Sequence, residues 1–190
     1  MFSFKKKEKI KKEDLPQDPK SKMIRFLKEW VLPFGLEALA IILIIKFVCF
    51  FTYVPTGSMV PTIAEHSWLL ALHTHNVEKN VERGDIMVFN SKETNTILIK
   101  RVIGLPGETV EIFDGQVYID GKLLEEDYVV NESYESMIFR VPEGKYLFLG
   151  DNRRSSADAR VWNDPYIAAE DITGRAVFTI LPFNNFGILK

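Results

Sequence analysis

Ser58 stands directly after Gly57 and between Pro55 and Pro61, in the run Pro55-Thr56-Gly57-Ser58-Met59-Val60-Pro61-Thr62-Ile63. Proline fixes φ and has no N–H, so this run is poorly suited to regular helix or a central strand. Gly57 lets the backbone approach another group closely. A serine held this way resembles a displayed nucleophile, although the same residues alone equally describe a Pro/Gly-rich surface turn. A serine hydroxyl attacks well only when a base removes its proton. Three histidines are available, His66, His73 and His75. A Ser-His-Asp arrangement therefore stays open, but Ser58 lacks the Gly-x-Ser-x-Gly elbow, and Pro61 three residues on rules out a Ser-x-x-Lys motif. His73 and His75 could share a strand face as metal ligands do. No acidic or Cys partner accompanies them, so they read as surface histidines and no metal site is expected.

Lys100 is the better base. It follows Ile97-Leu98-Ile99 and precedes Arg101 and Val102-Ile103. Strand alternation places it on the same face as Leu98 and Val102. An amine in apolar surroundings is costly while charged, so its pKa falls and the neutral form becomes available. A strand-edge lysine with its head in water is the commoner case for any single lysine.

Four stretches occur in order: the Ser58 run, Arg83-Gly84-Asp85-Ile86-Met87-Val88-Phe89, Ile99-Lys100-Arg101-Val102-Ile103-Gly104-Leu105-Pro106-Gly107-Glu108, and Gly150-Asp151-Asn152-Arg153-Arg154-Ser155-Ser156-Ala157-Asp158-Ala159-Arg160. Together, over roughly residues 30–182, they resemble the type I signal peptidases, membrane-bound Ser/Lys endopeptidases that remove signal peptides from exported proteins. The resemblance implies Ser58 as nucleophile and Lys100 as general base. It implies an oxyanion hole made by the Ser58 N–H and the Thr56 hydroxyl. Ser156 would orient the lysine, and Asp158 with Arg160 would form a supporting ion pair. Gly150, Asp151, Asn152 and Arg153 would form a structural turn. Ala159 departs from the usual serine, which removes one hydrogen bond and no catalytic group. Val54, Met59, Ile63, Leu98 and Ile99 flank the catalytic boxes and would wall shallow pockets for small side chains one and three residues before the cut.

These residues need a scaffold, and the chain is long enough for one domain with an appendage. Of its 190 residues 46% are hydrophobic, which excludes a largely disordered chain. Residues 1–30 carry ten Lys/Arg against five Asp/Glu, and read as a basic tail. Residues 31–190 carry fourteen against twenty-one, which argues against nucleic-acid binding. Residues 31–54 are mostly apolar, with only Glu37 and Lys46 charged, and predict one transmembrane anchor helix. No small-x-small cleavage site follows, so an uncleaved anchor fits better than a signal peptide. The basic tail places the amino terminus in the cytoplasm and the body outside the plasma membrane. Cys49 is the single cysteine, so no intrachain disulfide is possible.

Residues 55–190 read as the catalytic domain, mainly β and similar to the signal-peptidase and SOS-repressor β fold. Strands are expected at Trp68–Leu72, Ile86–Phe89, Ile97–Ile103, Val110–Phe113, Val117–Ile119, Tyr146–Leu149 and Ala176–Ile180. Asp114-Gly115 is a hairpin signal, and Asp120-Gly121 marks the next turn. A small inserted cap is expected over about residues 114–143, polar and irregular from 122 onward. The expected activity is cleavage of preproteins, with no cofactor, and with the lipid bilayer as the other partner. A self-cleaving SOS-type repressor would carry a DNA-binding domain where this chain has a tail and span. A catalytically dead scaffold would not need both Ser58 and Lys100.

Overall fold

The computed structural model describes residues 18–189. The chain divides into two units, one ending at Ile44 and the other beginning at Ile45. The described part of the first is helical. Asp18 caps α1 (Pro19–Phe26) by accepting from the Lys20 N–H, with Pro19 at the first position, where a missing N–H costs nothing. A π-helical turn, Leu27–Val31, leads into α2 (Leu32–Phe47). Pro33 offers no N–H to the carbonyl of Glu29, a sufficient cause for the wider turn at that point. The whole segment Pro19–Phe47 is 29 residues, long and apolar enough to cross a membrane, and none of its most apolar stretch is buried.

The helix differs from the expected anchor over 31–54 at both ends. It begins at Pro19, within the predicted tail, of which residues 1–17 lie outside the described residues. It stops at Phe47, and Cys49–Val54 forms strand β1. The apolar run is continuous, but its composition changes from Ala, Ile and Leu to Phe, Thr, Tyr and Val, which favour a pleated surface. Each residue of Cys49–Val54 pairs antiparallel with β2 (Ser67–His73), from Cys49 opposite Leu72 to Val54 opposite Ser67. Local hydropathy cannot show such a partner.

The second unit is mainly β, as the sequence predicts. After β2 come a single turn α3 (Val77–Asn80), β3 (Ile86–Ser91) and β4 (Thr96–Gly104). Next are β5 (Thr109–Phe113), β6 (Gln116–Ile119), β7 (Lys122–Leu123) and β8 (Met137–Arg140). The chain ends with β9 (Lys145–Leu149), β10 (Tyr166–Ala168), β11 (Ile172–Leu181) and β12 (Gly187–Ile188). The large sheet has the order β1-β2-β11-β3-β4-β9-β10, with β12 paired to β11. A small sheet has the order β7-β6-β5-β8. The expected cap contains a small sheet that starts earlier than residue 114, because β5 pairs with both β6 and β8 and belongs to it, while residues 124–136 between β7 and β8 are irregular as expected. Both Asp-Gly pairs turn with positive φ, 48° and 79° at Asp114-Gly115 and 49° and 76° at Asp120-Gly121. This is the geometry two-residue hairpins require.

Strand β3 explains its own unbroken apolar run. Ile86 and Val88 pack with Val54, Met59, Ile63, Leu69 and Ile99, whereas Met87 and Phe89 pack with Val102, Tyr146 and Phe148. Alternation thus feeds two cores, one from each side of the strand. A third core, with Val110, Val117 and Phe139, joins the small sheet to Ile103 of β4 and to Leu147 and Leu149 of β9.

Candidate active site

Ser58 lies four residues beyond β1, in the turn-rich run 56–63, and Lys100 lies on β4. The fold brings them together across 42 residues of chain, with Lys100 Nζ 2.7 Å from Ser58 Oγ. Both are buried, at 6% and 4% exposure, so the contact is largely screened from water. Lys100 Nζ also donates to the Ile99 carbonyl at 3.3 Å. Burial lowers the Lys100 pKa to about 8, against the pull of Asp158 and Asp151, which favour the ammonium. An amine in this range is neutral in a substantial fraction at mildly alkaline pH, and can take a hydroxyl proton at hydrogen-bond distance.

The turn that carries Ser58 is clamped from the segment after β9. The Asn152 N–H donates to the Ser58 carbonyl at 3.1 Å, and Asn152 Nδ2 donates to the Gly57 carbonyl at 3.0 Å. Thr56 Oγ1 lies 3.5 Å from Ser58 Oγ. Thr62 donates to Asp151 Oδ2 at 2.5 Å. Asp151 in turn accepts twice from Arg101, at 2.9 and 2.7 Å, a bidentate pair whose side chains are 3% and 1% exposed. Asp158 accepts from the Gly150 N–H at 3.0 Å and from Arg160 Nε and Nη2, each at 2.8 Å.

Ser156 is placed differently from its expected role. It is 9% exposed, but its hydroxyl has no hydrogen-bond partner among the described residues, and no bond joins it to Lys100. Its side chain lies against Gly150. The pocket candidates also separate. Val54, Met59, Ile63 and Ile99 share one core, with Met59 and Ile63 closed to solvent at 0% and 1%, whereas Leu98 packs with the core of Met87 and Phe89. The histidines have other partners. His66 Nδ1 meets the Tyr53 hydroxyl at 2.7 Å, the His73 ring lies tilted against Phe50, and His75 Nε2 is 3.4 Å from the Phe47 carbonyl. Among the described residues no group of three or more His, Cys, Asp or Glu could hold a metal ion.

Sequence reasoning treated Asn152 and Asp151 only as parts of a turn, and gave Arg101 no role. The Gly-Asp-Asn run was the available signal, but its grip on Ser58 is a contact across 94 residues that no local pattern encodes.

The fold gives the class: a mainly β body that follows an apolar helix in the chain. Residues 27–181 match the family described as signal peptidase, peptidase S26. The chain belongs to this family and is a membrane-anchored peptidase, a hydrolase of peptide bonds. It is 37% identical over 172 residues to "Signal peptidase I" of Leptolyngbya laminosa, covering 86% of this chain and 84% of that one. It is 35% identical over 175 residues to "Probable signal peptidase I-1" of a Synechocystis strain, covering 87% and 88%. A crystal structure of a signal peptidase I from Enterococcus faecalis is 34% identical, with a TM-score of 0.45, covering 50% of this chain and 96% of that chain.

Proposed function

We propose that this peptidase cleaves amino-terminal signal peptides from exported preproteins with Ser58 as nucleophile and Lys100 as general base. The observation that carries the reading is the buried 2.7 Å contact between Lys100 Nζ and Ser58 Oγ. In the neutral amine the Ser58 O–H donates to the Nζ lone pair. Oγ attacks the scissile carbonyl carbon as its proton passes to Nζ, and the Ser58 N–H with the Thr56 hydroxyl takes the oxyanion. The ammonium returns a proton to the leaving amine, and the mature protein departs. Lys100, neutral again, takes a proton from the water that attacks the acyl-enzyme, which releases the signal peptide and restores the Ser58 hydroxyl. Asp158 and Arg160 hold the segment after β9, and Ser156 acts on Lys100 only if one of the two side chains shifts.

An extended substrate suits the sheet. β3 pairs with β4 along Thr96–Arg101, whereas β9 pairs with β4 only from Arg101 onward. The other edge of Ile97–Ile99 thus offers backbone groups to a strand leading up to Ser58. Val54, Met59, Ile63 and Ile99 pack in one core next to this stretch of β4, and on this reading they wall shallow pockets for small side chains one and three residues before the cut. The helix Pro19–Phe47 crosses the plasma membrane once, with the basic tail in the cytoplasm and residues 55–190 on the outer face.

The test is cleavage of a purified preprotein by the full chain in detergent, with Ala or Phe at the positions one and three residues before the cut. Cleavage of the Ala substrate alone is expected, and efficient cleavage after Phe would sink the pocket reading. Self-cleavage only, or binding without cleavage, would defeat the function. Externally added protease should remove the body from spheroplasts and spare the tail. A body protected until lysis would reverse the orientation.

A further inference from the structure

The chain between β7 and β8 returns from the small sheet past the segment that clamps Ser58. Val130 bridges Asn152, with the Val130 N–H donating to the Asp151 carbonyl at 3.0 Å and the Arg153 N–H donating to the Val130 carbonyl at 3.1 Å. Glu126 accepts from Arg153 at 2.5 Å and from the Tyr128 hydroxyl at 2.8 Å. Between these ties the Tyr128 ring lies over Arg101, its centroid 3.9 Å from the guanidinium carbon. Arg101 follows Lys100 on β4, and beyond its two bonds to Asp151 it donates to the Gly84 carbonyl at 2.8 Å.

The charges around Lys100 give this ring a consequence. Asp151 and Asp158 both draw Lys100 toward its ammonium form. Each is neutralised by its own arginine, Asp151 by Arg101 and Asp158 by Arg160, which also reaches Glu135 at 3.4 Å. Arg153 is taken by Glu126. The phenol of Tyr128 stays protonated, because burial and the neighbouring Glu126 push its pKa well up. An aromatic face attracts a guanidinium most strongly where water is excluded. A loosened Arg101 would leave Asp151 less neutralised and would stabilise the charged lysine.

We propose that Tyr128 is a positioning residue for the Ser58–Lys100 pair: its ring holds Arg101 against Asp151 and thereby sets the pH range in which Lys100 serves as base. The proposal rests on Lys100 being that base. It makes the segment between β7 and β8 a contributor to the site, acting through Arg101.

The experiment measures kcat/KM against pH for the full chain in detergent, with an Ala-x-Ala preprotein. It compares wild type, Tyr128→Phe, Tyr128→Leu and Tyr128→pentafluorophenylalanine. The fluorinated ring keeps the shape of Phe and reverses the charge distribution of its face. Wild type and Tyr128→Phe should share one ascending limb. The limb should move up by about half a unit or more in the fluorinated variant and in Tyr128→Leu, a loss of about threefold near pH 7 that disappears at high pH. A fluorinated variant with the limb of Tyr128→Phe, or one slowed equally at every pH, overturns the proposal even if Tyr128→Leu fails to fold. A wild type with no ascending limb would instead defeat Lys100 as base, a result distinct from an unmoved limb.

Discussion

The Ser58 carbonyl oxygen would lie 2.6 Å from a Cβ placed on Gly150, and the Ser156 side chain crowds the same point. Gly150 therefore lets the segment after β9 close onto the Ser58 turn. Gly150→Ala would push the two apart by several tenths of an ångström and break the register of the Asn152 clamp. Activity should fall about 100-fold, the scale of a small misplacement of reacting groups, with the fold retained by circular dichroism. Wild-type turnover would show that the close approach does not position Ser58.

Replacing either member of the Ser58–Lys100 contact should abolish cleavage. Lys100→Ala lacks a base, and Lys100→Arg keeps a guanidinium that stays protonated at accessible pH. On the proposed mechanism Ser58→Ala lacks the nucleophile, and the double variant should be no worse than either single one, as expected of two groups that act as a unit. Substantial activity in a folded Lys100→Arg would return attention to His66, His73 and His75.

The pH profile has a defined sign. If Lys100 is the base, as proposed, it is active when neutral, so kcat/KM should climb as pH rises through about 8, the Lys100 value set first by burial. The same shift bears on stability. Below pH 8 the folded protein carries a buried ammonium that the unfolded chain would solvate, and that cost fades as pH rises toward the ordinary lysine value. Lys100→Met should thus be inactive yet more stable at pH 7, by on the order of 1–3 kcal/mol, with the gain shrinking above pH 8. A variant no more stable than wild type at pH 7, by denaturant titration, would contradict the desolvation account.

Ser156→Ala removes a buried hydroxyl that has no partner among the described residues. Its melting temperature should hold or rise slightly, because an unsatisfied group is lost with little volume. Turnover should fall only in part, because Lys100 reaches Ser58 without it. A strong loss of stability would mean that the hydroxyl is bonded in solution.

Much of the body was legible beforehand because its signals are local. The hairpin at Asp114-Gly115 and the short apolar runs at Ile86–Phe89 and Tyr146–Leu149 announce themselves through turn chemistry and composition. The four ordered boxes placed Ser58 and Lys100 in a family before any fold was known. The end of the helix was not legible, because the run stays apolar beyond Phe47 and pairing with Ser67–His73 is what holds Cys49–Val54 as a strand. The true extent of the small sheet was hidden for the same reason, since β5 is recruited by β8 from beyond the hairpin.

The sequence by itself determined the chemistry available to this protein: one serine in a Pro/Gly-bounded run, one lysine among isoleucine, leucine and valine, and the apolar segment ahead of them. Only the tertiary structure decided which groups meet. It set Lys100 against Ser58, left the Ser156 hydroxyl without a hydrogen bond among the described residues, sent Leu98 and Ile99 to different cores, and laid Tyr128 over Arg101. The physical reason is separation along the chain. Burial and charge pairing at the site arise from strands and loops tens of residues apart, and residue type alone carries no record of its distant neighbours.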